Sequence, residues 1–155
     1  MSNAIPQAQL TRKLVDSLYV EAMVLADEAR AYFEDHGVAA RDRLSPSLRV
    51  GYAVESLKVT TRLMHVIAWL LTWRGEARGE IDAAMASHPD RRLGLTGRSD
   101  ESVVVQLPDG AQKLIAASED LYKRVNRLER DLLAPPAEPP ASPARSLLGK
   151  LERAF

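Results

Sequence analysis

Cysteine is absent from the 155 residues, which excludes disulfides, thiol nucleophiles and cysteine-ligated metal sites. Net charge is absent too, since 21 Lys and Arg balance 21 Asp and Glu. A chain so balanced has no general attraction for nucleic acid, and neither nucleic-acid binding nor membrane insertion is expected. No apolar run reaches membrane-spanning length; the longest is Val66 to Leu71. The opening MSNAIPQAQLTRK lacks the basic start and apolar core of a secretion signal, so the expected address is the cytoplasm. Histidine is scarce, and none completes a Glu-x-x-His pair: the residues three before His36, His65 and His88 are Phe33, Arg62 and Met85. There is no Gly-x-Ser-x-Gly. The adjacent carboxylates Asp27-Glu28 and Glu34-Asp35 diverge on a helix and read as solvated face. No catalytic residue, metal ligand or cofactor is therefore expected, and the chain does not read as an enzyme.

Aromatics are only 5%, while alanine, leucine, arginine and glutamate are plentiful, a balance that favours helix over strand. The centre of the chain is SPSLRVGYAVESLKVTTRLMHVIAWLLTW, residues 45–73. Ser45 suits a helix N-cap and Pro46 the first helical position. Val50, Val54, Leu57, Thr61, Met64, Ala68 and Leu71 recur at helical spacing, and a second apolar row holds Val59, Leu63, Val66, Leu70 and Trp73. A helix apolar on two sides must be covered on both: it is either central to a bundle or also a subunit contact.

The pattern predicts an all-α fold, an antiparallel three-helix bundle with helices at about 8–36, 46–74 and 108–133. The first has a core row of Leu14, Leu18, Ala22, Leu25, Ala29 and Tyr32, and Gly37 is placed to end it in the left-handed conformation. Short polar residues 38–44 favour antiparallel neighbours. A long loop spans 87–107, in which Val103, Val104 and Val105 could form an extended patch; loops of this length are functional or mobile. The last helix carries Ala111, Leu114, Ser118, Leu121, Val125, Leu128 and Leu132 on one face. The domain is expected to span 1–134, followed by a proline-rich linker at 135–145 and an apolar C-terminal peptide at 146–155.

Three candidate sites stand beside plainer readings. Val59, Leu63, Val66, Trp69, Leu70 and Trp73 form a candidate dimer or partner surface, or else ordinary core. Leu147, Leu148, Leu151 and Phe155 make a short apolar face on the flexible tail. That face could dock a partner, fold back on the bundle, or do neither; the stiff spacer favours the partner. Arg91, Arg92 and Arg98 could clamp a phosphate, although a solvated basic loop is the simpler account.

The segments LVDSLYVEAMVLADEARAYFE (14–34), VESLKVTTRLMHVIAWLLTWRGEARGE (54–80) and LYKRVNRLERDLL (121–133) together resemble the regulator of CtrA degradation, the RcdA family. The resemblance implies a non-enzymatic adaptor that helps the ClpXP protease destroy cell-cycle regulators such as CtrA. It implies partnership with a CpdR-like primer, a PopA-like cyclic-di-GMP adaptor and client transcription regulators. It also implies a homodimer that collects at a cell pole. It assigns no binding residue, so the candidate sites rest on the spacing above. The competing expectation is a dimeric structural or sequestering protein that delivers nothing to a protease.

Overall fold

The computed structural model describes residues 4–134 and 143–154. Every regular element among them is helical. Helix α1 spans Ala4–Ala31 and continues into a π-helical turn, Tyr32–His36. Gly37 follows with φ −91°, so the expected left-handed stop is not there. What Gly37 supplies is room: a Cβ on it would lie 2.7 Å from both Tyr32 Cε1 and the Tyr52 hydroxyl. The residues expected to form a plain link wind into the short helix α2, Val38–Asp42. Ser45 then caps helix α3, Pro46–Ala77, its hydroxyl accepting from the Leu48 N–H at 3.4 Å. The left-handed glycine is Gly79, φ 75°, just beyond the end of α3.

The connection after α3 is partly structured. Helix α4, Ala83–Ala86, is capped by Asp82, and a single 3₁₀ turn covers Pro89–Arg91. Residues 93–99 run without regular structure into helix α5, Glu101–Val104. The extended valine patch expected here is therefore overturned. The Asp100 carboxylate accepts from the Ser102 N–H at 3.1 Å and the Ser102 hydroxyl at 2.6 Å, and this cap winds Val103 and Val104 into a helical turn against their β-branched preference. Helix α6, Asp109–Leu133, completes the core and helix α7, Pro143–Ala154, lies in the tail.

Contacts fix the directions of the long helices. Phe33 sits edge-on to Tyr52, and Arg74 bonds Asp16 at 3.1 Å, so α1 and α3 are antiparallel. Arg124 pairs with Glu21 while Gly110 backs onto Tyr32, so α1 and α6 are antiparallel as well. Helices α3 and α6 must then run the same way, which corrects the expectation of antiparallel neighbours throughout. The physical reason is the connection: residues 78–108 are long enough to return the chain to the end where α3 began.

The core lies where the three long helices meet. Leu18, Ala22 and Leu25 of α1 face Val59, Val66 and Leu70 of α3, with Leu121 and Val125 of α6 closing the third side. Each fully buried Leu or Val contributes about 1.5–3 kcal/mol relative to exposure. Ala22 is wholly buried, and its small side chain lets the helices approach closely. Leu14, expected inside, is exposed; Val15 takes the inward position one residue on.

Candidate interaction surfaces

Helix α3 has two faces of opposite fate. The row proposed as a dimer or partner surface is interior: Val59, Leu63, Val66, Trp69 and Leu70 are buried, and Trp73 packs half-buried beside them. That assignment is corrected, because α1 and α6 already cover the row. The other apolar row is the one left outside, with Leu57 66% and Met64 64% exposed and Val50, Val54 and Leu71 exposed with them. Beside it a groove runs between α1 and α3, with Ala26, Ala29 and Ala53 lining it alongside Leu57, Met64 and Ile67. Small side chains on both helices make that groove.

On its inner side α3 also buries charge. Arg62 is 2% exposed and Glu55 is 1% exposed. The Arg62 guanidinium donates to the Gly97 carbonyl at 3.0 Å, the Ser99 hydroxyl at 2.9 Å and the Ser118 hydroxyl at 3.2 Å, with the Glu119 carboxylate 3.7 Å away. Lys58 donates to Glu55 and to the Arg98 carbonyl, each at 2.9 Å, and the Asp100 N–H donates to Glu55 at 3.0 Å. From α6, Tyr122 donates to the Gly94 carbonyl at 2.7 Å, and Glu129 accepts from the Leu93 N–H at 2.8 Å. Residues 93–100 thus form a strap along α3 whose backbone is held by side chains in place of a ladder. Burial alone would push the Glu55 carboxyl up; Lys58 and the Asp100 N–H outweigh it and hold the group below the usual carboxylate range.

This network was missed in reading the chain, although a signal was present. Glu55, Lys58 and Arg62 recur at helical spacing within the mainly apolar stretch from Val50 to Trp73, so they share one face.

The strap does not gather its arginines. Arg91 and Arg92 are exposed at the 3₁₀ turn, while Arg98 is exposed further along, beside Lys58. No group of three or more His, Cys, Asp or Glu among the described residues could hold a metal ion. No helix there is long and apolar enough to cross a membrane. In the tail, Leu147, Leu148 and Leu151 are exposed on α7; Phe155 lies outside the described residues, as does most of the proline-rich linker.

The chain as a whole is similar to known ones. A family model described as "Protein of unknown function (DUF1465)" matches residues 6–155. The crystal structure of RcdA from Caulobacter crescentus CB15 is similar at 36% identity and a TM-score of 0.62, over 77% of this chain and 90% of that one. A comparison with curated proteins found no match.

Proposed function

The chain belongs to the DUF1465 family, which is the RcdA family, and from that premise we propose that it is a non-enzymatic adaptor in regulated proteolysis of the cell cycle. Its similarity to RcdA suggests a role in CtrA regulation. In this reading α1, α3 and α6 form a three-helix bundle that serves as a scaffold. It binds clients such as CtrA together with a PopA-like cyclic-di-GMP adaptor, and acts beside a CpdR-like primer of ClpXP. The adaptor works as a homodimer, in the cytoplasm, recruited to a cell pole.

The observation that carries the reading is the pairing of two exposed apolar surfaces in one small chain. One is the outer row of α3 and the other is the Leu147, Leu148 and Leu151 face of α7. An enzyme would need reactive groups drawn together in a cleft. The buried polar groups here instead bond the strap, as Arg62 and Glu55 do. Exposed apolar rows are how a scaffold meets other proteins.

The test is reconstituted degradation: ClpXP, the primer and a labelled client, with and without this protein. Faster client loss with the full chain is expected, and its reduction when Leu147, Leu148 and Leu151 become serine would assign protease contact to the tail. No acceleration under any condition would overturn the adaptor reading and leave a sequestering protein.

A further inference from the structure

The strap is held by one set of its backbone groups and open at another. Residues 93–100 contain neither turn nor bend, so they lie extended over about 26 Å. Side chains of α3 and α6 bind the Leu93 and Asp100 N–H groups and the Gly94, Gly97 and Arg98 carbonyls. Between those points, the N–H groups of residues 94–99 and the Leu95 and Thr96 carbonyls bond to no other group among the described residues. Extended chain with open main-chain donors and acceptors is a template for a second extended chain.

A cleft of about 540 Å³ opens beside it, between the strap and α6. The buried Arg62 lies beneath, Tyr122, Lys123 and Asn126 form the α6 wall, and Leu95, 93% exposed, stands on the strap's side. Gly97 lines the cleft as well. Its φ is not left-handed, and a Cβ there would find its nearest neighbour, Lys58 Cε, 3.8 Å away. Neither strain nor crowding within the chain calls for glycine at this position. Glycine in extended chain often marks a place where another backbone approaches closely.

We propose that an extended, acidic peptide segment of a partner protein lies in this cleft and pairs its main chain with the strap as an added strand. The proposal rests on the adaptor reading and names the form in which a partner is held. The acidic character follows from the rim. Arg98 and Lys123 are exposed and have no carboxylate partner among the described residues, whereas Glu119 is already bonded to Ser99, which leaves Glu101 alone against them. The side-chain clamps fix the strap beforehand, so binding has to order the peptide and little else. They also account for a loop of this length being tied down along its whole run while its middle donors are left to solvent.

The probe is a phage-displayed library of random short peptides, panned on the full chain with neither protease nor client present. Recovered peptides should carry net negative charge. Lys123→Trp, at an exposed position of α6 beside the cleft, should weaken them at least about tenfold with helix content unchanged. Methylating the peptide's backbone nitrogens one at a time should weaken binding at every second position, because alternate amides of a strand point to opposite sides. Amides from Leu95 to Ser99 should exchange more slowly once peptide is bound. Peptides that Lys123→Trp leaves at full affinity overturn the cleft, and methylation effects without a period of two overturn strand pairing. A library that yields no binder overturns the proposal as a whole, while the adaptor reading stands or falls separately on the degradation assay.

Discussion

Replacing Arg62 by methionine tests the strap's attachment most directly. Methionine keeps most of the apolar stem and removes the guanidinium. Arg62 makes three hydrogen bonds, but their acceptors are not equally stranded by its loss. Ser99 still donates to Glu119, and Ser118 still donates to the Ile115 carbonyl at 2.8 Å. The Gly97 carbonyl sits on an exposed residue that water can reach. Breaking a buried charge pair typically costs 3–5 kcal/mol when an orphan charge remains inside, but Glu119 is 32% exposed and is not trapped. The expected loss is therefore about 2–3 kcal/mol, below the sum of three buried charged bonds. For a chain of this size that lowers Tm by roughly 5–10 °C. Urea denaturation measures the loss, and amide hydrogen exchange locates it: Gly97 to Asp100 should exchange faster while the Val59 to Leu70 core keeps its protection. Arg62→Lys should fail to rescue, because one ammonium cannot span acceptors on the strap and on α6 together. A loss under about 1 kcal/mol, or faster exchange spread evenly over the chain, would refute the view that Arg62 holds the strap.

Glu55 should make stability depend on acid. Its folded carboxyl titrates below the unfolded value of about 4.3, so its contribution is complete above that pH and is lost as pH falls through the depressed native pKa. Glu55→Gln should cost about 1–2 kcal/mol at neutral pH and converge with the parent in acid; parallel curves across that window would contradict the assignment. Two glycines of α3 should respond oppositely to alanine. At Gly51 a new Cβ would lie 2.6 Å from Val103 Cγ1, so α5 must shift at about 1–3 kcal/mol, more than the helix-propensity gain. At Gly75 the nearest atom is 3.5 Å away, and Gly75→Ala should add about 0.5–1 kcal/mol; thermal melts of both variants decide it.

The helical class and the long elements were legible because they depend on local chemistry. Ser45 and Pro46 start α3 where spacing placed the start, and the one-sided row of α6 is inward from Ala111 to Leu128. Direction was less legible. A short link between α1 and α3 restricts them to antiparallel packing, whereas the residues between α3 and α6 can return the chain to either end. Gly37 shows the same limit on a smaller scale: glycine signals either a left-handed turn or a crowded neighbour, and Tyr52, 15 positions away in sequence, decides which.

Which apolar row of α3 faces inward turned on its charges. The row that looked cleaner is Val50, Leu57, Met64 and Leu71, while the opposite side carries Glu55, Lys58 and Arg62. Hydropathy alone buries the clean row, since stranding a charge inside costs several kcal/mol. The fold does the reverse, because the strap brings the Gly97 and Arg98 carbonyls, the Ser99 hydroxyl and the Asp100 N–H to those side chains and gives each of them a partner. Burying the charged side leaves an uncharged apolar row in water, which a folded monomer has no stability reason to keep. Its seven-residue spacing suits contact with another helix better than contact with a flat or irregular surface.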